Sequence, residues 1–423
     1  MKHYLVLLGI LWTLTQFATA ENWPHFRGPT GQGISSEKGL PLSWSVTSNI
    51  LWKTTLPGES WSSPIVWGDR VFVTSSPKDG KSLELLCLEA GTGKVLWNRQ
   101  VLEQNPIRKD DGNSWATSTP TTDGERVYLV SFNGAFAAVS FAGDILWTNL
   151  ATQFYVKHGL ASSPVVHGDF VLMNCDGTST NPATPRVGWQ TQWDGSYVLA
   201  LDKKTGAVCW KTARGPSRVA FSTPIVITQD GREQVVSTAG DVVQGFDLQS
   251  GKRIWTATNR GEGLVPSPVT GDGLVFSPSS FNTGTPDIPE AIRAFRLGGK
   301  GDVSQSQFVW QQTENVPKVA SLLFARPYLY SITDNGMLQC LKSGTGEIVW
   351  KQRLNGSFVA SPFLAENRFY LLSEKGETTV LEAGPQYKVL ARNALGEKCK
   401  ASIAASGGKL FIRGQNNLYC IGK

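Results

Sequence analysis

The sequence predicts an all-β fold, an eight-bladed β-propeller of four-stranded antiparallel blades, from two recurring markers and the short strands between them. The first marker is a tryptophan with a glycine four residues before it, as in Gly206/Trp210 and Gly346/Trp350. The second is a small-polar step, usually followed by proline, that opens an apolar run, as in Ser62-Ser63-Pro64. An internal repeat of this kind is typical of an array of similar structural units.

Both markers count to eight. The small-polar steps end at residues Ser63, Thr119, Ser163, Thr223, Ser267, Ser321, Ser361 and Ser402. The tryptophan position is filled by Trp52, Trp97, Trp147, Trp210, Trp255, Trp310 and Trp350, and by Leu390 at the eighth place. We expect each tryptophan to act as a flat packing plate between neighbouring blades, because an indole buries about 150–250 Å².

Turn residues divide each repeat into strands. Gly68-Asp69 separates two β-branched and aromatic runs, which is the signal of a hairpin. In the tryptophan marker, Asp202 and Asp247 precede Thr-Gly or Ser-Gly steps, where an aspartate can accept hydrogen bonds from the turn backbone. The last repeat stops after its third strand, and residues 49–54 are predicted to supply the missing fourth strand and close the ring.

The chain divides into three predicted parts. Residues 1–20 have the basic start, apolar centre and Ala18-Thr19-Ala20 end of a signal peptide. Residues 21–48 form an N-terminal arm, and residues 49–423 form the propeller. We therefore expect a monomer without a transmembrane segment, exported to the periplasm or the exterior.

Charge and cysteine content argue against two classes of protein, nucleic-acid-binding proteins and disulfide-stabilised proteins. A net charge of +6 over 423 residues, without a dense basic cluster, does not match nucleic-acid binding. Six cysteines invite a disulfide framework, but Cys87, Cys340 and Cys420 occupy one position in three distant repeats. Cys175 and Cys209 fall two strands apart, beyond the reach of a disulfide. We expect mostly free, buried thiols.

The markers resemble the tryptophan-docking repeats of the pyrroloquinoline-quinone (PQQ) type propellers, along the whole mature chain. The resemblance is carried by residues 23–29, 197–210, 334–336 and 410–422, and it is closest to exported PQQ-binding-like repeat proteins frequent in planctomycetes. It implies two different functions. Quinoprotein alcohol dehydrogenases hold the quinone beside calcium, under an adjacent-cysteine disulfide, with an aspartate as base. The propeller lipoprotein of outer-membrane protein assembly is a scaffold without a cofactor.

The residues favour the second function. The chain has no adjacent cysteine pair, and its acids near the inner-strand openings, Glu59, Glu262, Glu314 and Glu397, are scattered. Calcium needs six to eight converging oxygens. The four histidines lack zinc-ligand spacing, and the serine-rich steps recur in every blade, which marks architecture and not a nucleophile. We therefore predict no catalytic residue and no metal site, and no cofactor unless PQQ with Ca²⁺ binds through atypical ligands.

Ligand binding is predicted at one mouth of the central channel, where residues differ between blades while the frame repeats. The candidates precede the inner strands: Trp61, Trp115, His158, Arg218, Glu262, Lys318, Phe358 and Lys400. A solvated mouth without a ligand is the competing interpretation. Two insertions, residues 174–196 and 277–290, are further candidates, and Arg27 is expected to dock the arm through an ion pair.

The sequence therefore predicts an exported, non-enzymatic binding or scaffold protein of the cell envelope. Envelope proteins, peptides or glycans are its candidate partners. The alternative is a PQQ-dependent dehydrogenase with atypical cofactor ligands.

Overall fold

A computed structural model describes residues 20–152, 154–156, 158–177, 191–281 and 289–423. These residues form eight separate antiparallel sheets of four strands, one of them extended by a fifth short strand. The sheets are the eight blades of a β-propeller, so the predicted fold class is confirmed. Of the predicted signal peptide, only Ala20 falls within the described residues. The central parts of both predicted insertions, 178–190 and 282–288, lie outside them.

Blades 1 to 4 follow the chain in simple meander order, with the innermost strand first. Their strands are β2 (Ile65–Trp67), β3 (Arg70–Ser75), β4 (Ser82–Glu89) and β5 (Val95–Glu103) in blade 1; β6 (Thr121–Thr122), β7 (Arg126–Val130), β8 (Phe136–Ser140) and β9 (Ile145–Asn149) in blade 2; β10 (Val165–His167), β11 (Phe170–Cys175), β12 (Tyr197–Asp202) and β13 (Val208–Ala213) in blade 3; and β14 (Ile225–Gln229), β15 (Arg232–Thr238), β16 (Val242–Asp247) and β17 (Arg253–Thr258) in blade 4.

Blades 5 to 8 continue the same order. Their strands are β18 (Val269–Gly271), β19 (Leu274–Ser279), β20 (Ala291–Arg296) and β22 (Phe308–Gln312) in blade 5; β23 (Leu323–Ala325), β24 (Tyr328–Ile332), β25 (Met337–Lys342) and β26 (Ile348–Arg353) in blade 6; β27 (Phe363–Ala365), β28 (Arg368–Leu372), β29 (Glu377–Glu382) and β30 (Val389–Ala394) in blade 7; and β31 (Ala404–Ser406), β32 (Lys409–Arg413), β33 (Asn417–Ile421) and β1 (Ile50–Thr55) in blade 8. The fifth strand, β21 (Gly301–Asp302), pairs in parallel with β17. Strands β11 and β19 run two or three residues further into the predicted insertions than the sequence indicated.

The ring closes as predicted. Strand β1, from the start of the propeller, pairs antiparallel with β33 at the end of the chain, with Trp52 opposite Cys420. Blade 8 is therefore built from both ends of the propeller sequence. This pairing removes the open sheet edge that a three-stranded last blade would leave.

Six of the seven marker tryptophans donate an indole hydrogen bond to the following blade. The indole of Trp147 covers Gly206 of blade 3, and its Nε1 donates to the carbonyl oxygen of Lys203 at 3.0 Å. The same indole-to-carbonyl bond is made by Trp52, Trp97, Trp210, Trp310 and Trp350. In five of these six cases the ring lies over the marker glycine of the following blade, where a Cβ would meet the indole; the blade after Trp350 has no glycine at that position.

Trp255 also belongs to a core cluster with Val275 and Phe295 of the following blade, but its hydrogen bond differs. Its Nε1 donates to Oε1 of Gln234 within blade 4, and its ring covers Gly245 of the same blade. The outer edge of this blade carries β21, whose Gly301 lies opposite Trp255. Blade 4 therefore has an additional paired segment beside its marker tryptophan.

The turn aspartates act as predicted. Oδ1 of Asp202 accepts hydrogen bonds from the backbone N–H of Lys204 and Thr205 and from the Thr205 hydroxyl. The hydrogen bond from Thr205 is the main reason why the pKa of Asp202 lies below its usual range. These carboxylates are engaged in turns at the outer ends of the blades, so they stabilise architecture.

The N-terminal arm crosses one end of the channel. The backbone of Trp23 pairs with Val66 of blade 1, and Thr122 of blade 2 donates to the carbonyl of Pro24. On the opposite side of the ring, Ser35 donates to Leu364 of blade 7, and the side chain of Gln32 accepts from the N–H of Thr270 in blade 5. The arm therefore spans the ring at the far ends of the innermost strands.

All six cysteines are free, as expected, and five of them are buried; Cys209 is exposed. Cys175 on β11 and Cys209 on β13 are separated by β12, as the spacing predicted. Within the described ranges, no helix of the length and hydrophobicity needed for a membrane span occurs.

Candidate functional site

The channel is encircled by a closed ring of hydrogen bonds between blades. In each blade, the backbone N–H of the last residue of the small-polar marker donates to the hydroxyl of the equivalent residue in the next blade. All eight bonds are 3.0 or 3.1 Å long, and the last runs from Ser402 back to Ser63. We call this set the hydroxyl ring: Ser63, Thr119, Ser163, Thr223, Ser267, Ser321, Ser361 and Ser402.

The hydroxyl ring explains why the marker recurs. A serine or threonine is required at each position because its oxygen satisfies a backbone donor of the neighbouring blade. The marker tolerates the loss of proline in blades 6 and 8, where Leu322 and Ile403 follow the hydroxyl residue. The structural interpretation of these serines, in preference to a nucleophilic one, agrees with this arrangement.

A second layer of side chains stands above the hydroxyl ring. It is formed by the residue two positions earlier in each blade, and we call it the upper ring: Trp61, Thr117, Ala161, Phe221, Val265, Val319, Val359 and Lys400. Six of these eight side chains are apolar, in contrast to the uniform hydroxyl layer beneath them. The side chains therefore change from one repeated kind, the hydroxyls of the hydroxyl ring, to several types in the upper ring, only two residues away in the sequence.

The two rings line a cavity of about 500 Å³ on the channel axis. Phe26 of the arm lies at its base, which is the end that the arm crosses. The mouth is lined by Asp110, Asn113, His158, Phe281 and Glu374. A pocket of this size that combines apolar surface with convergent polar groups is typical of a small-molecule site.

Charged groups at the mouth are held near Trp61. The Lys400 ammonium lies 5.4 Å from the centre of the Trp61 ring and donates to the carbonyl of Gly112 at 2.8 Å. Partial burial lowers the pKa of Lys400. On the adjoining side, Nδ1 of His158 lies 3.6 Å from Oδ2 of Asp110. The cavity lining at the mouth thus combines the partly buried Lys400 ammonium, two carboxylates and an imidazole, and the Lys398 ammonium lies 5.9 Å from the centre of the Trp61 ring.

Three of the eight predicted binding residues line this cavity: Trp61, His158 and Lys400. The other five lie elsewhere. Trp115 packs edge-on against Phe132, with ring centres 4.6 Å apart. Arg218 donates to the carbonyl of Gly261, and Lys318 lies 3.8 Å from Glu290. Glu262 and Phe358 are buried.

The reason for the difference is the position of the turn before each innermost strand. The residue two positions before each hydroxyl faces the axis, whereas five of the six candidates that lie three to five positions before a hydroxyl do not line the cavity; His158 is the exception. Counting back two residues from each hydroxyl would have found the remaining members, Thr117, Ala161, Phe221, Val265, Val319 and Val359. The binding role of Trp61, His158 and Lys400 stays a prediction.

Arg27 docks the arm, but not through the ion pair that was expected. Its side chain is buried, and Nη2 donates to the carbonyl oxygens of Gln32 and Leu322. Nε and Nη1 have no hydrogen-bond partner among the described residues. Burial lowers the pKa of Arg27 to about 9.

The quinone and calcium that the resemblance implies do not match the side chains around the cavity. Those that could ligate a metal there are Asp110, His158 and Glu374, and in the described part of the chain no group of three or more His, Cys, Asp or Glu is arranged to hold an ion. The sequence also has no adjacent cysteine pair. The donor set of the dehydrogenases is therefore not reproduced.

The fold and the tryptophan-docking repeats define the protein as a PQQ-like β-propeller. A family model described as "Outer membrane protein assembly factor BamB" (PQQ_2) matches residues 47–196, 193–280 and 302–385. The chain belongs to this family.

Two curated relatives are similar in sequence. The chain is 22% identical over 270 residues to "Outer membrane protein assembly factor BamB" of Yersinia pestis, a match that covers 61% of this chain and 59% of the relative. It is also 22% identical over 247 residues to "Tetrathionate hydrolase" of Acidithiobacillus ferrooxidans, covering 57% of this chain and 45% of the relative. The matches thus span about half the length of these relatives.

Solved structures share the fold. BamB from Moraxella catarrhalis superposes with a TM-score of 0.59 at 13% identity, covering 88% of this chain and 99% of that one. A europium-containing methanol dehydrogenase superposes with a TM-score of 0.51 at 12% identity, covering 94% and 90%. At such identities the similarity shows architecture alone.

Proposed function

We propose that the protein is exported to the cell envelope, where it binds or scaffolds other molecules without performing a reaction, and that the channel cavity is its binding surface. One observation carries the proposal: directly above a hydroxyl ring that has serine or threonine in every blade, the upper ring has six different residue types at its eight positions. If the upper ring served only to join neighbouring blades, one kind of side chain would serve in every blade, as it does in the hydroxyl ring.

Membership of the BamB family supports a scaffold role, because the family description is that of an assembly factor. The signal-peptide pattern of residues 1–20 supports export. Peptides, glycans and other envelope proteins present the mixture of apolar and polar groups that the cavity offers.

The binding surface can be tested by photo-crosslinking in cells that make the full chain. A p-benzoylphenylalanine at position 61, replacing Trp61, should give discrete adducts, because this side chain stands at the mouth. The control is the same probe in place of Phe308, which is 40% exposed on the outer strand β22. Equal adduct patterns from both positions would contradict a binding role for the cavity.

The alternative is a quinone-dependent dehydrogenase with atypical cofactor ligands, whose architecture a methanol dehydrogenase shares. Titration of the purified protein with PQQ and Ca²⁺, followed by absorbance and dye reduction, distinguishes the two functions. We expect neither stoichiometric binding nor turnover. Saturation at one quinone per chain with dye reduction would overturn the non-enzymatic proposal.

A further inference from the structure

The hydroxyl ring has donors that the protein does not use. Each ring oxygen accepts a backbone N–H, and each of these residues is at most 6% exposed. None of the eight hydroxyls donates to an acceptor among the described residues, whereas the marker serines just before two of them do: Ser118 donates to the carbonyl of Ser162, and Ser162 to that of Ser222. All eight ring residues line the cavity. Up to eight O–H groups therefore stand around one axis.

An array of convergent donors selects a ligand group that accepts many hydrogen bonds. An ionised carboxylate offers two oxygens with about four acceptor positions and no donor of its own. Hydrogen bonds to such a charged acceptor are about twice as strong as those between neutral groups.

The charge behind the ring has the sign that a carboxylate requires. The Arg27 guanidinium donates to the carbonyl of Leu322, the residue directly after Ser321 of the hydroxyl ring. This cation is buried without a carboxylate partner in the described chain, and its Nε and Nη1 are unpaired. In a poorly solvated interior, its attraction for an anion on the axis is weakly screened.

The upper ring and the mouth restrict the rest of the ligand. The upper ring surrounds the axis with Trp61, Phe221 and three valines, so the group next to the carboxylate must be apolar. At the mouth, the Asp110 and Glu374 carboxylates line the cavity and oppose a second negative charge, and Lys400 already donates to Gly112. The nearby cations Lys398 and Lys318 lie over the rings of Trp61 and Phe281 and do not line the cavity. The ligand should therefore carry only one negative charge.

We infer that the cavity binds a monocarboxylate with an apolar body, inserted with the carboxylate toward the hydroxyl ring and the apolar part against the upper ring. This inference rests on the proposed binding function of the cavity. Two sources share this chemistry: the C-terminal residue of a polypeptide with an apolar side chain, and a free apolar organic acid.

The test is calorimetric titration of the full chain with matched probes. N-acetyl-leucine should bind at least tenfold more tightly than N-acetyl-leucinamide, which has the same body without the charge, and than N-acetyl-glutamate, which carries a second charge. A peptide ending in leucine separates the sources: a gain over N-acetyl-leucine indicates a chain end, and equal affinity indicates a free acid. Equal binding of the acid and the amide, or no binding of the acid at millimolar concentration, would overturn the inference.

Two pairs of variants separate a ligand role from a structural one. Ser163→Ala and Thr119→Val remove ring hydroxyls, whereas Ser162→Ala and Ser118→Ala remove the preceding hydroxyls, which donate to neighbouring blades but do not line the cavity. Each ring variant should weaken N-acetyl-leucine binding about tenfold, and each control should leave it within twofold. Equal weakening by both kinds of variant would overturn the inference.

The photo-crosslink at position 61 distinguishes failure of the carboxylate inference from failure of the proposed binding function. Adducts at position 61 in a protein that binds no carboxylate would show that the cavity binds another class of ligand. Loss of both results would refute the binding surface itself.

Discussion

The docking of Trp147 over Gly206 predicts a substitution whose cost can be worked out from the structure. In Gly206→Ala, the new Cβ would lie 2.4 Å from Cε3 and 2.7 Å from Cδ2 of the Trp147 ring. Carbon atoms in contact prefer about 3.5–4.0 Å. The ring must therefore move by about 1 Å, which weakens its hydrogen bond to Lys203.

Two contributions to the free energy of unfolding add at this site. Gly206 has φ of +73°, and an alanine in this region costs roughly 1–2 kcal/mol. Forcing extra volume into a packed contact costs roughly a further 1–3 kcal/mol. The total loss should be about 2–5 kcal/mol.

Gly273→Ala is the matched control. Gly273 has φ of +74°, but no atom lies within 4 Å of the position that its Cβ would take. This variant should therefore lose only the conformational contribution. The difference between the two variants, about 1–3 kcal/mol, measures the cost of displacing the tryptophan.

Urea unfolding, followed by far-ultraviolet circular dichroism, measures these differences. The same pair of variants should be made in a Trp147→Leu background, since leucine naturally occupies the equivalent place at Leu390. There, Gly206→Ala should cost no more than Gly273→Ala, because the ring that opposes the Cβ is gone. If Gly206→Ala and Gly273→Ala already destabilise the natural chain equally, the proposed packing role of the tryptophan is wrong.

Three further predictions concern individual side chains. Cys209 should be the one thiol that reacts with a thiol reagent in the folded protein, and Cys209→Ser should abolish the reaction. The other five thiols are buried, and burial raises the pKa of Cys87, Cys340, Cys399 and Cys420 to about 12. Reaction of several thiols before unfolding would contradict this. Burial lowers the pKa of His25 from 6.5 to about 4, so between these pH values the unfolded chain binds a proton at His25 and the folded chain does not. The contribution of His25 to the free energy of unfolding should be fully present above pH 6.5 and fall by about 3 kcal/mol toward pH 4. Chemical unfolding at a series of pH values should show that His25→Gln flattens this decline. The Glu397 carboxylate accepts from the backbone of Asn416 and Asn417 and from the Tyr419 hydroxyl; Glu397→Ala should therefore cost about 2–3 kcal/mol in urea unfolding, whereas Glu347→Ala, which breaks an exposed pair with Lys342, should cost less than about 1 kcal/mol.

The blade count and the closure of the ring were predictable because both depend on local, repeated chemistry. A turn with an aspartate, a positive-φ glycine and a following tryptophan specifies a hairpin wherever it occurs. The unpaired last repeat and the additional first strand then leave one way to complete the eighth blade. The packing role of the tryptophans followed as well, although the indole N–H of Trp255 has its acceptor, Gln234, in its own blade.

The cavity was predictable in its place but only partly in its members. Trp61, His158 and Lys400 were found, whereas Phe221 and the valines were missed, because the direction of a side chain before each innermost strand depends on where the connecting turn leaves the channel wall. The partners of Arg27 were also beyond the sequence, since Leu322 lies almost 300 residues away and meets the arm only when the ring has closed.

The amino-acid sequence by itself determined the repeat, the number of blades and the strand that joins the two ends, because hairpin formation and turn chemistry act over a few neighbouring residues. The tertiary structure decided which hydroxyl accepts from which blade, which side chains face the axis, and that the buried Arg27 guanidinium donates to the residue after Ser321. Those relations join residues of different blades, and they exist only after eight similar units have been placed around one channel.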